Sequence, residues 1–183
     1  MKVDEVRVNA QLTVGIEIDS ATGRLWVIEA IKDICNNHPK AGARLSESVT
    51  IATDGMDYAI VGTLLELISI EDTNQSVYLP SDSAKYVLND DNTITFAEAG
   101  TYRIKYMGMP AMPQTTSSEI PLPQLFVPCI EYYLAYKIRG RLYGQSDGNA
   151  VSFFQQYEYR RDNAETMRGK KKIKRQIPSR GGW

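Results

Sequence analysis

The sequence predicts an α+β fold: a four-helix bundle with an inserted antiparallel β meander and an extended C-terminal tail. Three observations lead there. Apolar residues recur at helical spacing near both ends of the chain, the period changes to two between about residues 46 and 106, and from Lys170 onward there is no apolar period at all. Two short helices on either side of the β segment cannot bury their faces alone, so the two pairs are expected to close on one another. The expected organisation is one domain over residues 1–168 and a basic tail over 169–183.

The elements follow in order. Val3, Val6, Ala10 and Val14 mark a first helix over about 3–14, with Asp4 and Glu5 in its first turn, where the helix dipole favours them, and Gly15 at its end. Asp19 or Ser20 caps a second helix over about 20–37. Its stripe is Leu25, Ile28, Ile31 and Cys35, widened by Trp26, Val27, Ala30 and Ile34, and it stops before Pro39. Ser48–Ala52 alternates, Asp54-Gly55 marks a turn, and Tyr58–Val61 and Leu64–Ile70 continue the extended pattern. Lys85–Leu88, Thr93–Phe96 and Thr101–Tyr106 read as three further strands, the last with Tyr102, Ile104 and Tyr106 on one face and Arg103 and Lys105 on the wet one.

Residues 107–123 form a proline-bearing linker, either an ordered crossover or a flexible arm. A helix over about 124–143 carries Phe126, Ile130, Leu134 and Ile138 on one stripe and Cys129, Tyr132, Tyr133 and Tyr136 on another, which marks it as the central helix. A turn at Gln145–Gly148 leads to a last helix over about 148–168, with Ala150, Phe153, Phe154, Tyr157, Arg161 and Ala164 inward. The predicted bundle core is therefore Trp26, Ile28, Ile31, Ile130, Tyr133, Leu134, Phe153, Phe154 and Tyr157.

Composition narrows function. With 43% hydrophobic and 23% charged residues the chain has the apolar material for a core, which excludes disorder as a whole-chain description. No apolar run approaches the roughly 20 residues of a spanning helix, and the N-terminus turns acidic at once instead of opening a signal sequence. Cys35 and Cys129 lie outside any CxxC pattern and on apolar stripes, as buried thiols do. The lone His38 sits at a helix end with no nucleophile or ligand set near it, and Gly144–Gly148 lacks the lysine of a phosphate loop. The pairs Glu71-Asp72 and Asp90-Asp91 fall in turns. No catalytic residue, metal or cofactor is expected, and the chain is not expected to be an enzyme.

The net charge of −1 is unevenly spread. Residues 160–183 carry nine basic groups against Asp162 and Glu165, a net of +7, and the rest of the chain carries −8. Such asymmetry points to a partner. Within the tail, Lys170, Lys171, Lys172, Lys174, Arg175 and Arg180 supply charge, while Ile173, Ile177 and Trp183 supply apolar anchors that phosphates do not reward. Anchors spaced among basic residues suit a segment laid along a protein surface.

This order of segments resembles the head–tail connector adaptor (head-completion) proteins of tailed bacteriophages. The resemblance is carried by Trp26-Val27-Ile28-Glu29-Ala30-Ile31 on the second helix, by Val49-Thr50-Ile51 and Tyr102–Tyr106 at the two ends of the β insertion, and by Ile120-Pro121-Leu122-Pro123 leading into Glu131–Tyr136, with Phe153–Tyr157 on the last helix. The Gln145–Asn149 turn departs from the family pattern. The resemblance implies a structural virion protein, made in the bacterial host cytoplasm. It would form a ring of probably twelve copies beneath the portal protein, extend the DNA channel with non-specific DNA contact only, and present a platform to the next neck or tail protein. It implies no membrane contact. The tail residues Lys170–Lys172, Ile173, Lys174, Arg175, Ile177, Arg180 and Trp183 would bind the portal. A tail-completion (terminator) protein is the alternative within the virion class, and a small nucleic-acid-binding protein using the basic tail is the alternative outside it.

Overall fold

Helix α1 (Val3–Val14) begins where the linker returns to the N-terminus. The backbone N–H groups of Val3 and Asp4 donate to the carbonyls of Ser118 and Thr116 at 3.0 and 2.9 Å, and Ile120 N–H donates to Met1. These contacts satisfy first-turn donors that a helix cannot pair internally. They also fix residues 107–123 as an ordered crossover. Gly15 closes α1 at φ 74°, a left-handed position that glycine adopts without strain. The computed structural model describes residues 1–73, 76–80 and 84–169, with side chains to Ala164.

Helix α2 (Ser20–Asn37) is capped by Asp19, whose carboxylate accepts from Thr22 N–H at 2.8 Å. Its buried face runs through Gly23, Val27, Ala30, Ile31, Ile34 and Cys35. This corrects the sequence reading: Leu25 is 53% exposed and Ile28 is only half-buried. The helix is turned so that Gly23 meets Arg7 of α1. A Cβ at Gly23 would lie 2.6 Å from the Arg7 side chain, so the small residue sets how closely the two helices approach. Arg7 in turn donates to the Ile18 carbonyl at 3.0 Å, bracing the link between α1 and α2.

After a 3₁₀ turn at Pro39–Ala41 the described residues form seven strands: β1 (Ala43–Ile51), β2 (Asp57–Ala59), β3 (Leu64–Asp72), β4 (Val77–Tyr78), β5 (Tyr86–Leu88), β6 (Thr93–Phe96) and β7 (Gly100–Gly108). They form two antiparallel sheets, ordered β1-β7-β3-β4 and β2-β6-β5. The Asp54-Gly55 turn hands the chain from one sheet to the other. β7 pairs with β1 and β3 on its two sides, not with β6. The sheets meet over one core: Ile51, Leu67, Ile70, Ile104 and Tyr106 from the larger sheet face Tyr86, Ile94 and Phe96 from the smaller. Tyr102 stacks on Phe96 with ring centroids 4.4 Å apart.

The linker then enters a 3₁₀ turn at Gln124–Phe126 and α3 (Val127–Tyr143), with Pro128 in the first turn, where a missing N–H costs little. α3 contacts α1, α2 and α4 (Gly148–Gly169). Its buried residues Cys129, Ile130, Leu134 and Ile138 join Val6, Val27, Ile31, Ile34 and Tyr157 in a second core, separate from that of the sheets. Asp147 begins α4, accepting from Asn149 and Ala150 N–H at 3.1 Å and from Arg139 of α3 at 2.9 Å. Among the described residues the fold is thus mixed α+β, with four helices and two antiparallel sheets. Among the described residues no helix is long and apolar enough to cross a membrane.

Candidate functional site

The predicted portal-binding residues, Lys170 to Trp183, lie outside the described residues, so the candidate site is built from the described part of α4 and the elements packed on it. Of the predicted bundle core, Ile31, Ile130, Leu134 and Tyr157 are fully buried. Trp26, Tyr133 and Phe154 are half-buried against the same cluster, and Ile28 and Phe153 are half-buried. The aromatic residues form a chain of ring contacts, Tyr136–Phe154 at 4.9 Å and Tyr133–Tyr157 at 5.1 Å, that staples α3 to α4.

α4 is fastened to α2 by a polar cluster about two turns before its end. The Tyr157 hydroxyl and Arg161 Nη1 both donate to Asp33 Oδ2, the latter at 2.9 Å. Arg161 Nε reaches Asp162 Oδ1 at 2.9 Å, and His38 Nε2 lies 3.4 Å from the same oxygen. Burial, and then the Asp33 acceptor, push the Tyr157 hydroxyl pKa up. Burial works against the Arg161 charge, yet its hydrogen bonds to Asp162 and Asp33 carry its pKa upward. The Arg161 hydrogen bond holds the Asp162 carboxyl below the usual carboxylate range. The cluster places Arg161 and Asp162 of α4 beside His38 and hence beside the 3₁₀ turn that leads into β1. Sequence reading missed Asp33, which sits on the polar side of α2; its only sequence signal is an acid placed to face a helix that carries Tyr157 and Arg161 one turn apart.

Charge is partitioned more sharply than a split at Arg160 suggests. Residues 43–108 hold ten acidic groups against four basic ones. The helical segments up to residue 169 hold twelve acidic against eleven basic, and residues 170–183 hold six basic and none acidic. Counting charge by structural segment, rather than from one end, is the signal that finds this. Within the β region the outer face of the smaller sheet carries Asp57, Ala59, Val87, Thr93 and Thr95. Asp54, Asp90 and Asp91 stand at its turns, and Met56, Val61 and Leu88 expose apolar surface beside it. Lys85 pairs with Glu98 at 3.0 Å. Among the described residues Asp54, Asp57, Asp90 and Asp91 take part in no ion pair.

An open groove of about 560 Å³ crosses the wet face of the larger sheet over Ser48, Glu71, Asp72, Thr101 and Arg103. Its lining residues include no histidine or cysteine, and Glu71 is held by Lys105. The Cys35 and Cys129 thiols are buried and pushed up to about 11, which keeps them protonated near neutral pH. Among the described residues no three metal-capable side chains converge. The chemistry this arrangement offers is ionic and apolar contact along surfaces. No protein-family model matches the chain, and no curated protein matches it.

Proposed function

We propose that the chain is a structural subunit of a bacteriophage head–tail connector: an adaptor whose copies form a ring, with twelve expected, that joins the portal protein to the neck or tail and extends the DNA channel. In this reading the four helices close into a bundle that serves as the ring-forming body, and the β region is an excursion from it. The basic tail binds the portal, and the next neck or tail protein docks on the opposite side. The observation that supports it best is the order of segments around α3. Two N-terminal helices and a helix hairpin bracket the β region, and a proline-bearing crossover tied to the N-terminus feeds the hairpin.

The test is a mass measurement of the full chain mixed with purified portal protein, repeated with residues 169–183 deleted. A stoichiometric complex with the full chain that the deletion abolishes supports both the connector role and the tail's part in it. The competing reading rests on the six basic residues of the tail, which suit nucleic acid as well. A chain that ignores the portal but binds duplex DNA, with affinity falling steeply as salt rises, would establish that reading in its place.

A further inference from the structure

The free side of β1 carries an inference that concerns the protein by itself and does not rest on the connector reading. We propose that β1 is a docking edge for a second copy of this chain: two β1 strands pair antiparallel about a two-fold axis at Ser48 and join the two larger sheets into one of eight strands.

The first support is that this edge is long, regular and open. β1 pairs with β7 over all nine of its residues in one unbroken register. No described hydrogen bond reaches the backbone of residues 43–51 from any other segment. Arg44, Leu45, Ser46, Ser48 and Thr50 are exposed although the strand lies in a sheet. Such an edge presents a row of unpaired N–H and C=O groups to another strand, and proteins ordinarily guard it with lysine, proline, a bulge or shortness. β1 has none of these. The other edges among the described residues do: β4 is two residues long, β3 beside it shifts register twice, and β2 and β5 have three residues each.

The second support is self-complementarity, which makes a copy of the chain the fitting occupant. The strand carries one cation, Arg44, and one anion, Glu47, so two copies meet without net charge. A two-fold axis perpendicular to the sheet keeps each residue on its own face, and therefore passes through a residue position. An axis at Glu47 would set two carboxylates face to face. An axis at Ser46 would set Leu45 against Glu47. An axis at Ser48 sets Ser48 against Ser48 and Ser46 against Thr50 on the wet face, hydroxyl pairs of the kind that Thr50 and Thr101 already make across β1 and β7 at 3.3 Å. On the other face it covers Leu45, 38% exposed, with Ile51 of the second copy. Glu47 then faces Val49, and its carboxylate needs nothing from the second copy because it already accepts from Tyr58 and Tyr106 of its own chain.

Sedimentation equilibrium of the full chain, with portal protein absent, tests this. The expected species are monomer and dimer, the latter at twice the chain's 20.6 kDa. Ser48→Lys places two cations face to face at the axis and should weaken dimerisation about tenfold, with a far-UV spectrum like the parent's because the position is exposed. A short thiol cross-linker reads the register. Ser48→Cys should join two copies across about 5 Å, and Ser46→Cys should not, because about 14 Å separates it from its counterpart. Cys35 and Cys129 are buried and leave this reading clear. A chain that stays monomeric up to its solubility limit would overturn the proposal. So would a Ser48→Lys variant that dimerises as tightly as its parent, or faster cross-linking of Ser46→Cys than of Ser48→Cys. A two-fold pairing closes at two copies, whereas a ring needs head-to-tail contacts. Portal binding by a strictly monomeric chain would thus overturn this proposal alone, and a Ser48-centred dimer that ignores the portal would overturn the connector reading alone.

Discussion

The helical segments and the β region solve the same problem, a tyrosine hydroxyl at the edge of an apolar core, with opposite electrostatics. In the helical segments the Tyr157 hydroxyl donates to Asp33, and Arg161 shares that carboxylate at 2.9 Å. In the β region the Tyr106 and Tyr58 hydroxyls both donate to Glu47, the latter at 2.8 Å, and the sheets are joined through an acid bonded to two neutral groups. The pattern is general. Lys137–Glu29, Arg139–Asp147, Arg7–Asp4 and the Arg161 pairs neutralise acids along the helices, whereas the β region has only Lys85–Glu98 and Lys105–Glu71 among the described residues. The difference teaches where a basic partner belongs. A surface whose acids are already spoken for offers a cation little, and one whose acids are bonded to hydroxyls and backbone N–H groups keeps its field.

The largest effects should come from the cores, where the two regions are alike. Leu134 is fully buried on α3, between the other helices, and Leu134→Ala should lower stability by about 3 kcal/mol through lost burial and the cavity left behind. Ile104→Ala in the sheet core should cost a similar about 3 kcal/mol. Denaturant titration of both variants checks this. A Leu134→Ala chain as stable as its parent would show that α3 is not the centre of the helical core.

Next in size are the hydroxyl clamps, where the regions should part. Tyr106→Phe leaves Glu47 with one tyrosine donor in the clamp, and should cost about 2 kcal/mol. Tyr157→Phe should cost about 1 kcal/mol, because Asp33 keeps its hydrogen bond and ion pair with Arg161. The order of the two values, read from chemical denaturation at neutral pH, is the sharp point. Equal losses would mean that the cation contributes nothing to the helical clamp.

Much of the fold was legible because period survives in a single sequence. The bounds of α1 and α2 match the expected 3–14 and 20–37, and six of the seven strands among the described residues fall on the expected extended runs, with Gly15, Asp19 and Pro128 punctuating the helices as their chemistry requires. What local pattern cannot carry is partnership. That β7 sits between β1 and β3, that α2 is rotated to bring Gly23 against Arg7, and that the two-residue β4 exists at all depend on contacts made across the fold. β1 began earlier than expected because Ala43–Glu47 pairs with Ile104–Gly108, a register that no local alternation announces. The candidate site was legible in composition but not in place. The basic tail stood out at once, while the acidic sheet emerged only when the charges were grouped by the segments that the fold defines.

Smaller still is the effect of removing an acid from the uncompensated surface. Asp90 is exposed at the β5–β6 turn and pairs with no cation among the described residues, so Asp90→Asn relieves repulsion without breaking an ion pair. The expected gain is a few tenths of a kcal/mol at low salt, shrinking as salt is added. A loss of comparable size, at low salt and in thermal melts, would mean that this carboxylate already serves a structural contact.

The smallest expected effect is also the one with a defined pH window, and it concerns the compensated side. The Asp162 carboxyl is held below the usual range, first by its hydrogen bond from Arg161 and then by that from His38. A carboxyl whose folded-state pKa is depressed contributes stability that is fully present above its unfolded value of about 4 and is lost as pH falls through the lower folded value. The contribution is modest, because the Asp162 side chain is 57% exposed and solvent screens the pair. Asp162→Asn should therefore be slightly less stable than the parent at pH 7, and the gap should close as the pH is lowered from about 5 to 3. No gap at pH 7 and no change on acidification would show that Arg161 is held by Asp33 alone, leaving α4 fixed to α2 by one carboxylate instead of two.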